Sequence, residues 1–168
     1  MDILFLLLRV IHIFASVFWV GSAWLLTFFL GPAAQALGPD GGKFMGLLTT
    51  RYRLPIYISI AAGLTVLAGL IMYFIWYGIA ALGTPDGLTF AIGGVIGLVA
   101  AGIGGGLVGP TSLKIARLGE EMARAGKPPA PGQIAEMNAL QKRLSTASLW
   151  SAIFVSLSLL LMAIARYV

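Results

Sequence analysis

Very few side chains in the apolar parts of this chain can do chemistry, and they cluster near its amino terminus. Arg9 and His12 stand one helical turn apart in the first apolar run, and His12 is the only histidine. Holding an ionisable group in hydrocarbon is costly, so such residues are functional candidates by default. A neutral imidazole can serve as an axial or metal ligand, or as a polar tie between two helices. Arg9 can pair with an anionic ligand group, as can Arg166 near the same rim, or it can snorkel to the interface. Met72 and Met162 are soft donors able to close a metal's second position beside His12, although methionine in an apolar helix also serves as filler. Trp19, seven residues after His12, falls mid-helix, where tryptophan suits core packing better than a cofactor wall.

Other chemistries are excluded by what the apolar runs lack. All six acidic residues (Asp2, Asp40, Asp86, Glu120, Glu121 and Glu136) lie outside them. A carboxylate proton relay or an oxygen-rich cation site at mid-depth has no residues to build it. The chain has no cysteine, so thiol chemistry, disulfides and iron–sulfur sites are excluded.

The elements that must position these residues are set by composition. The chain of 168 residues is 59% hydrophobic and 10% charged, with mean hydropathy +0.96, against about 25% charged for a soluble domain. Four runs, at 3–30, 54–82, 88–108 and 144–165, each reach the roughly 20 residues that a helix needs to cross a bilayer. The expectation is a single all-α transmembrane domain over 1–168, an integral membrane four-helix bundle. The first run is expected to be a retained helix, because it follows Asp2, contains Arg9 and has no small-residue cleavage site after it.

Local signals suggest the boundaries. Gly31-Pro32 and Gly109-Pro110 are expected to stop helices one and three, while Pro55 and Pro85 open helices two and three, with Thr84 as a cap. Residues 111–125 alternate apolar and charged side chains at helical spacing and predict a separate interfacial helix. The proline-rich stretch 126–132 predicts a kinked linker.

Basic residues set the orientation. Lys43, Arg51 and Arg53 lie between helices one and two; Lys114, Arg117, Arg124, Lys127, Lys142 and Arg143 lie between three and four. The short connection at 83–87 has none. The positive-inside rule then puts both termini outside the cytoplasm, in what would be a bacterial inner membrane. The net charge of +5 thereby reports membrane orientation, and nucleic acid is not an expected partner.

A weak repeat joins the halves. The two Gly-Pro pairs are 78 positions apart; Arg53-Leu54 and Arg143-Leu144 are 90 apart, and each is followed by Met72 or Met162 at the same spacing. This pattern predicts two tandem helical hairpins related by a pseudo-twofold axis. Position 90, the counterpart of His12, is Phe90, so one chain cannot supply two histidine ligands. Helix three carries a ridge of small residues, Gly93, Gly97, Ala101, Gly105 and Gly109, and helix two a shorter one, Ala61, Thr65 and Gly69. Such ridges pack helices closely, or offer a flat slot to a planar macrocycle.

The pattern Arg9-Val10-Ile11-His12, then Trp19 and Gly21, ahead of Gly31-Pro32, resembles helix one of the copper-resistance-D-like (CopD-like) membrane proteins and, more loosely, of HemJ-type protoporphyrinogen oxidases. The ending, Met162 to Tyr167, looks like the last helix of related small four-helix families. The HemJ-like resemblance implies a b-type haem (haem b) held by the helix-one histidine; the CopD-like one implies copper transport. Residues 84–90 lack the lysine that HemJ-type proteins carry there, which separates haem binding from oxidase activity. The expected function is a haem-binding redox or sensing module, with His12, Arg9, Trp19, Arg166, Gly97 and Gly105 around the cofactor. The alternatives are a cofactor-free accessory subunit that packs through its glycine faces against a membrane partner or a second copy, and a copper carrier using His12, Met72 and Met162.

Overall fold

The fold was analysed in a computed structural model that describes residues 2–126 and 128–168. Lys127, one of the basic residues used for orientation, lies outside the described residues. The described residues form four long helices and one short one. Helix α1 spans Ile3–Ala36, α3 Leu54–Tyr77, α4 Pro85–Arg124 and α5 Pro131–Tyr167, each long and apolar enough to cross a membrane. Helix α2, Pro39–Gly46 with a closing turn Leu47–Arg51, lies between α1 and α3. The described residues contain no strand. The long helices also turn most of their apolar side chains outward: Phe14 is 76% exposed and Val17 68%. Outward apolar side chains on four spans mark an all-α integral membrane bundle, whose outer surface is solvated by lipid.

The caps behave as the sequence indicates. Asp2 accepts from Leu4 N at 3.0 Å at the start of α1, and Thr84 accepts from Gly87 N at 3.3 Å at the start of α4. Both contacts satisfy backbone donors that have no partner inside the helix.

The two Gly-Pro pairs do not stop their helices. Each is preceded by a π turn, Leu25–Leu30 before Gly31 and Gly104–Val108 before Gly109, and the helix continues beyond it. Proline in a regular helix lacks a donor and clashes with the carbonyl four residues back. A wider turn shifts the bonding pattern, so that Gly31 N–H reaches Leu26 O and Gly109 N–H reaches Gly104 O. A Cβ at position 31 would meet that Leu26 carbonyl at 2.8 Å, which is why glycine precedes the proline there.

Helix continuation changes the basic end of the molecule. The segment expected to be a separate interfacial helix is the outer half of α4, Gly109–Arg124, and it packs on α2 and α5. Part of its apolar face is covered by protein, with Ala116 at 8% and Leu118 at 9% exposure, while Leu113 stays 39% exposed. Helix α5 likewise begins at Pro131, well before the expected start, so its first turns stand beside that segment. At the opposite end, α3 closes at Gly78, whose φ of +68° is the left-handed conformation that glycine tolerates. A short turn, Ile79–Gly83, then leads to α4.

The helices pair as two hairpins, α1 with α3 and α4 with α5. One layer joins all four: Trp19 from α1, Ala61 from α3, Ala100 from α4 and Val155 from α5, the largest of which is 5% exposed. Trp19 thus fills the bundle centre, which three small or medium residues leave open. Ser156 Oγ accepts from Trp24 Nε1 at 2.8 Å and ties α1 to α5 beside this layer.

Candidate functional site

Two helical turns from Trp19, His12 leaves α1 on the same face and meets α3. Its Nδ1 lies 2.7 Å from the backbone carbonyl of Thr65. A carbonyl can only accept, so Nδ1 carries a proton and donates it. In the neutral ring the lone pair then resides on Nε2. This is the arrangement in which a histidine's second nitrogen is oriented for ligation.

Helix α3 is built to receive the ring. Thr65 turns its hydroxyl back onto its own helix, donating to Ala61 O at 2.8 Å, which leaves its carbonyl side clear. One turn on, Gly69 has no side chain; a Cβ there would lie 2.9 Å from His12 Cε1 and 3.1 Å from Nδ1. The small ridge Ala61, Thr65 and Gly69 therefore forms the seat of His12. Sequence spacing identified the ridge but not its occupant, because nothing in the spacing states which helix lies opposite.

Stepping seven residues toward the terminal end from Trp19, Ala61, Ala100 and Val155 gives His12, Ala68, Gly93 and Met162. They form a second layer about 10 Å further along the helix axes. In that layer Met162 rests on α4: its Cε lies 3.4 Å from where a Gly93 Cβ would be, and Leu161 Cβ lies 3.2 Å from the same point. Met72 follows Gly69 on α3 by less than one turn and is half-buried. Arg9 and Arg166 are exposed toward the terminal end, Arg166 in the closing turn Ala165–Tyr167. Aromatic contacts close this end of the first hairpin, where Phe5 meets Trp76 edge-on with ring centroids 5.0 Å apart.

The glycine ridge of α4 is a packing face. Ser158 Oγ lies 3.0 Å from where a Gly97 Cβ would be and donates to Gly93 O at 2.8 Å. Ser151 donates to Ala100 O at 3.4 Å on the same interface. A flat slot along Gly93 and Gly97 is therefore closed by α5, and neither glycine is free to face a macrocycle. Gly105 is exposed, with nothing within 4 Å of its Cβ position, but it stands about 18 Å of helix rise from the Gly93 layer. Helix geometry thus separates Gly105 from His12. Trp19 belongs to the bundle core, as its mid-helix position indicated. Among the described residues no three of His, Asp and Glu come together as a metal cage.

Comparisons with protein-family models, with curated proteins and with solved structures give no match for the chain.

Proposed function

We propose that this membrane protein holds a b-type haem through His12, in a redox or sensing role. The supporting observation is the 2.7 Å contact between His12 Nδ1 and the Thr65 carbonyl, which leaves Nε2 as the donor atom of a pre-oriented imidazole. The Thr65 carbonyl holds the ring's tautomer and orientation, while Gly69 provides the clearance that lets the ring reach that carbonyl. Arg9 and Arg166, both exposed toward the terminal end, suit anionic propionate groups. Met162 shares the His12 layer, and Met72 lies just beyond it, so either is a second-ligand candidate. The donor chemistry fits a haem; the Gly97 face does not, since Ser158 covers it. When bound, such a group supplies one-electron transfer or binding of a small gas at iron. In the proposed topology both termini are extracytoplasmic in a bacterial inner membrane, following the basic residues at the opposite end.

A second reading has its own observation. Trp19 closes the bundle centre at 5% exposure and Ser158 closes Gly97, as expected of a cofactor-free subunit whose His12 serves as a helix tie. Exposed Gly102, Gly105 and Gly106 would then meet a membrane partner or a second copy. Absorbance of the purified protein between about 400 and 560 nm, after expression with added haem precursor, separates the two readings. A Soret band lost in His12→Ala is the expected result. A colourless wild-type protein leaves the accessory-subunit reading, and full haem content in His12→Ala ends the ligand assignment.

A further inference from the structure

At the basic end, a groove of about 530 Å³ opens between α4 and α5, away from His12. Helix α4 contributes Ile103 and Leu107; α5 contributes Lys142, Arg143, Thr146 and Trp150 along its facing side. Ala139 and Ala147 of α5 complete its lining. Lys142 and Arg143 are exposed, and neither forms an ion pair among the described residues.

The order of these residues along the groove matches one kind of occupant. Val155 lies in the layer that joins all four spans and near the middle of the apolar part of α5. Counting helix rise from it, Arg143 is about 18 Å away and Trp150 about 8 Å. The hydrocarbon core extends about 15 Å from its midplane. The two cations therefore stand at the level of lipid phosphates, while Ile103, Leu107 and Trp150 line the part that lies in hydrocarbon. Charge and depth follow the sequence of an anionic phospholipid, with its phosphate outermost and an acyl chain beneath.

We propose that this groove binds one anionic phospholipid. Lys142 and Arg143 hold its phosphate beside the Thr146 hydroxyl, and an acyl chain lies along Ile103, Leu107 and Trp150. Basic pockets between transmembrane helices recognise such headgroups, and each cation near the surface contributes to the attraction.

The test is native mass spectrometry of the full chain released from vesicles of mixed phosphatidylglycerol and phosphatidylcholine. The wild type is expected to retain one phosphatidylglycerol per chain in preference to phosphatidylcholine. Lys142→Gln with Arg143→Gln should weaken that retention by about 30-fold. Lys114→Gln with Arg117→Gln, on the same end but outside the groove, should leave it nearly unchanged. Thr146→Phe keeps both cations but obstructs the groove, and should also lose the lipid. Equal losses in the two charge pairs would overturn the proposal, since they would report the general field of this end. It would equally be overturned by a lipid-free dimer, by no preference between the two lipids, or by displacement with soluble glycerol phosphate at the same concentration, which lacks the acyl chain. Circular dichroism of each variant in the same detergent confirms helical content. If either groove variant is unfolded, Lys142→Gln alone replaces it, with a smaller loss of retention expected and full retention again overturning the site.

Discussion

The two hairpins solve one packing problem with different side chains. In both, a ridge of small residues lets the helices approach closely, and a polar side chain from one helix donates to a backbone carbonyl that the ridge exposes on the other. In the first hairpin the donor is His12 on α1 and the carbonyl belongs to Thr65 on α3, at 2.7 Å. In the second the donors are Ser158 and Ser151 on α5, and the carbonyls belong to Gly93 and Ala100 on α4, at 2.8 and 3.4 Å. The small residues thus sit on the returning helix of the first hairpin and on the outgoing helix of the second. A serine hydroxyl spends its one proton on such a contact and keeps only oxygen lone pairs, whereas an imidazole spends one N–H and keeps a nitrogen lone pair on its second ring atom. The cross-helix bond that packs the second hairpin also leaves the Nε2 lone pair in the first, and the proposed haem ligation rests on that atom.

Overfilling the ridges should break the comparison most strongly. Gly69→Leu and Gly97→Leu force a side chain into the space of His12 and Ser158 respectively, and each is expected to cost about 1–3 kcal/mol. Gly105→Leu, on the same helix as Gly97 but facing open space, should cost almost nothing. Unfolding in mixed detergent micelles measures all three, and equal losses at Gly97 and Gly105 would mean that α5 does not close the ridge.

Removing the donors should have smaller consequences and should distinguish the hairpins. Loss of one interhelical hydrogen bond in a membrane protein averages about 0.6 kcal/mol, and that is the effect expected for Ser158→Ala. His12→Ala should cost more, about 1–2 kcal/mol, because it also leaves the notch at Gly69 empty. Identical small losses would reduce His12 to the status of the serines. His12→Asn restores a donor without a comparable ligand, so it should recover part of the stability but none of the Soret absorbance.

The smallest effect is expected outside the bundle, at Asp40 and Lys43. Their contact of 2.9 Å lies on the exposed side of α2. Hydrogen bonding from Lys43, and then its charge, holds the Asp40 carboxyl below its ordinary value of 3.8. A depressed carboxylate stabilises the fold above its ordinary value and loses that contribution as pH falls through the lowered one. Both groups are fully in solvent, where screening leaves such pairs little weight. Melting curves of the wild type and Asp40→Asn should therefore coincide between pH 7 and pH 5, and a clear separation would show that α2 depends on this pair.

Composition alone determined the class of molecule. Four apolar runs of sufficient length leave no architecture but a helical membrane bundle, since every backbone polar group in lipid must be bonded within its own helix. The caps at Asp2 and Thr84 were equally local, because a side chain two or three residues from a helix start needs no tertiary partner. Gly31-Pro32 and Gly109-Pro110 were legible only as disturbances; whether a helix stops or widens by a π turn depends on whether neighbouring helices cover its continuation. The outer half of α4 has such cover from α2 and α5, and so it continues the bundle instead of standing as a separate helix. The site divides in the same way. His12 stood out because an ionisable side chain is rare in an apolar helix. Its partner carbonyl on Thr65, its clearance at Gly69 and the closure of Gly97 by Ser158 were fixed only when the helices paired, since a backbone carbonyl carries no signature in sequence and a glycine does not declare what fills its space.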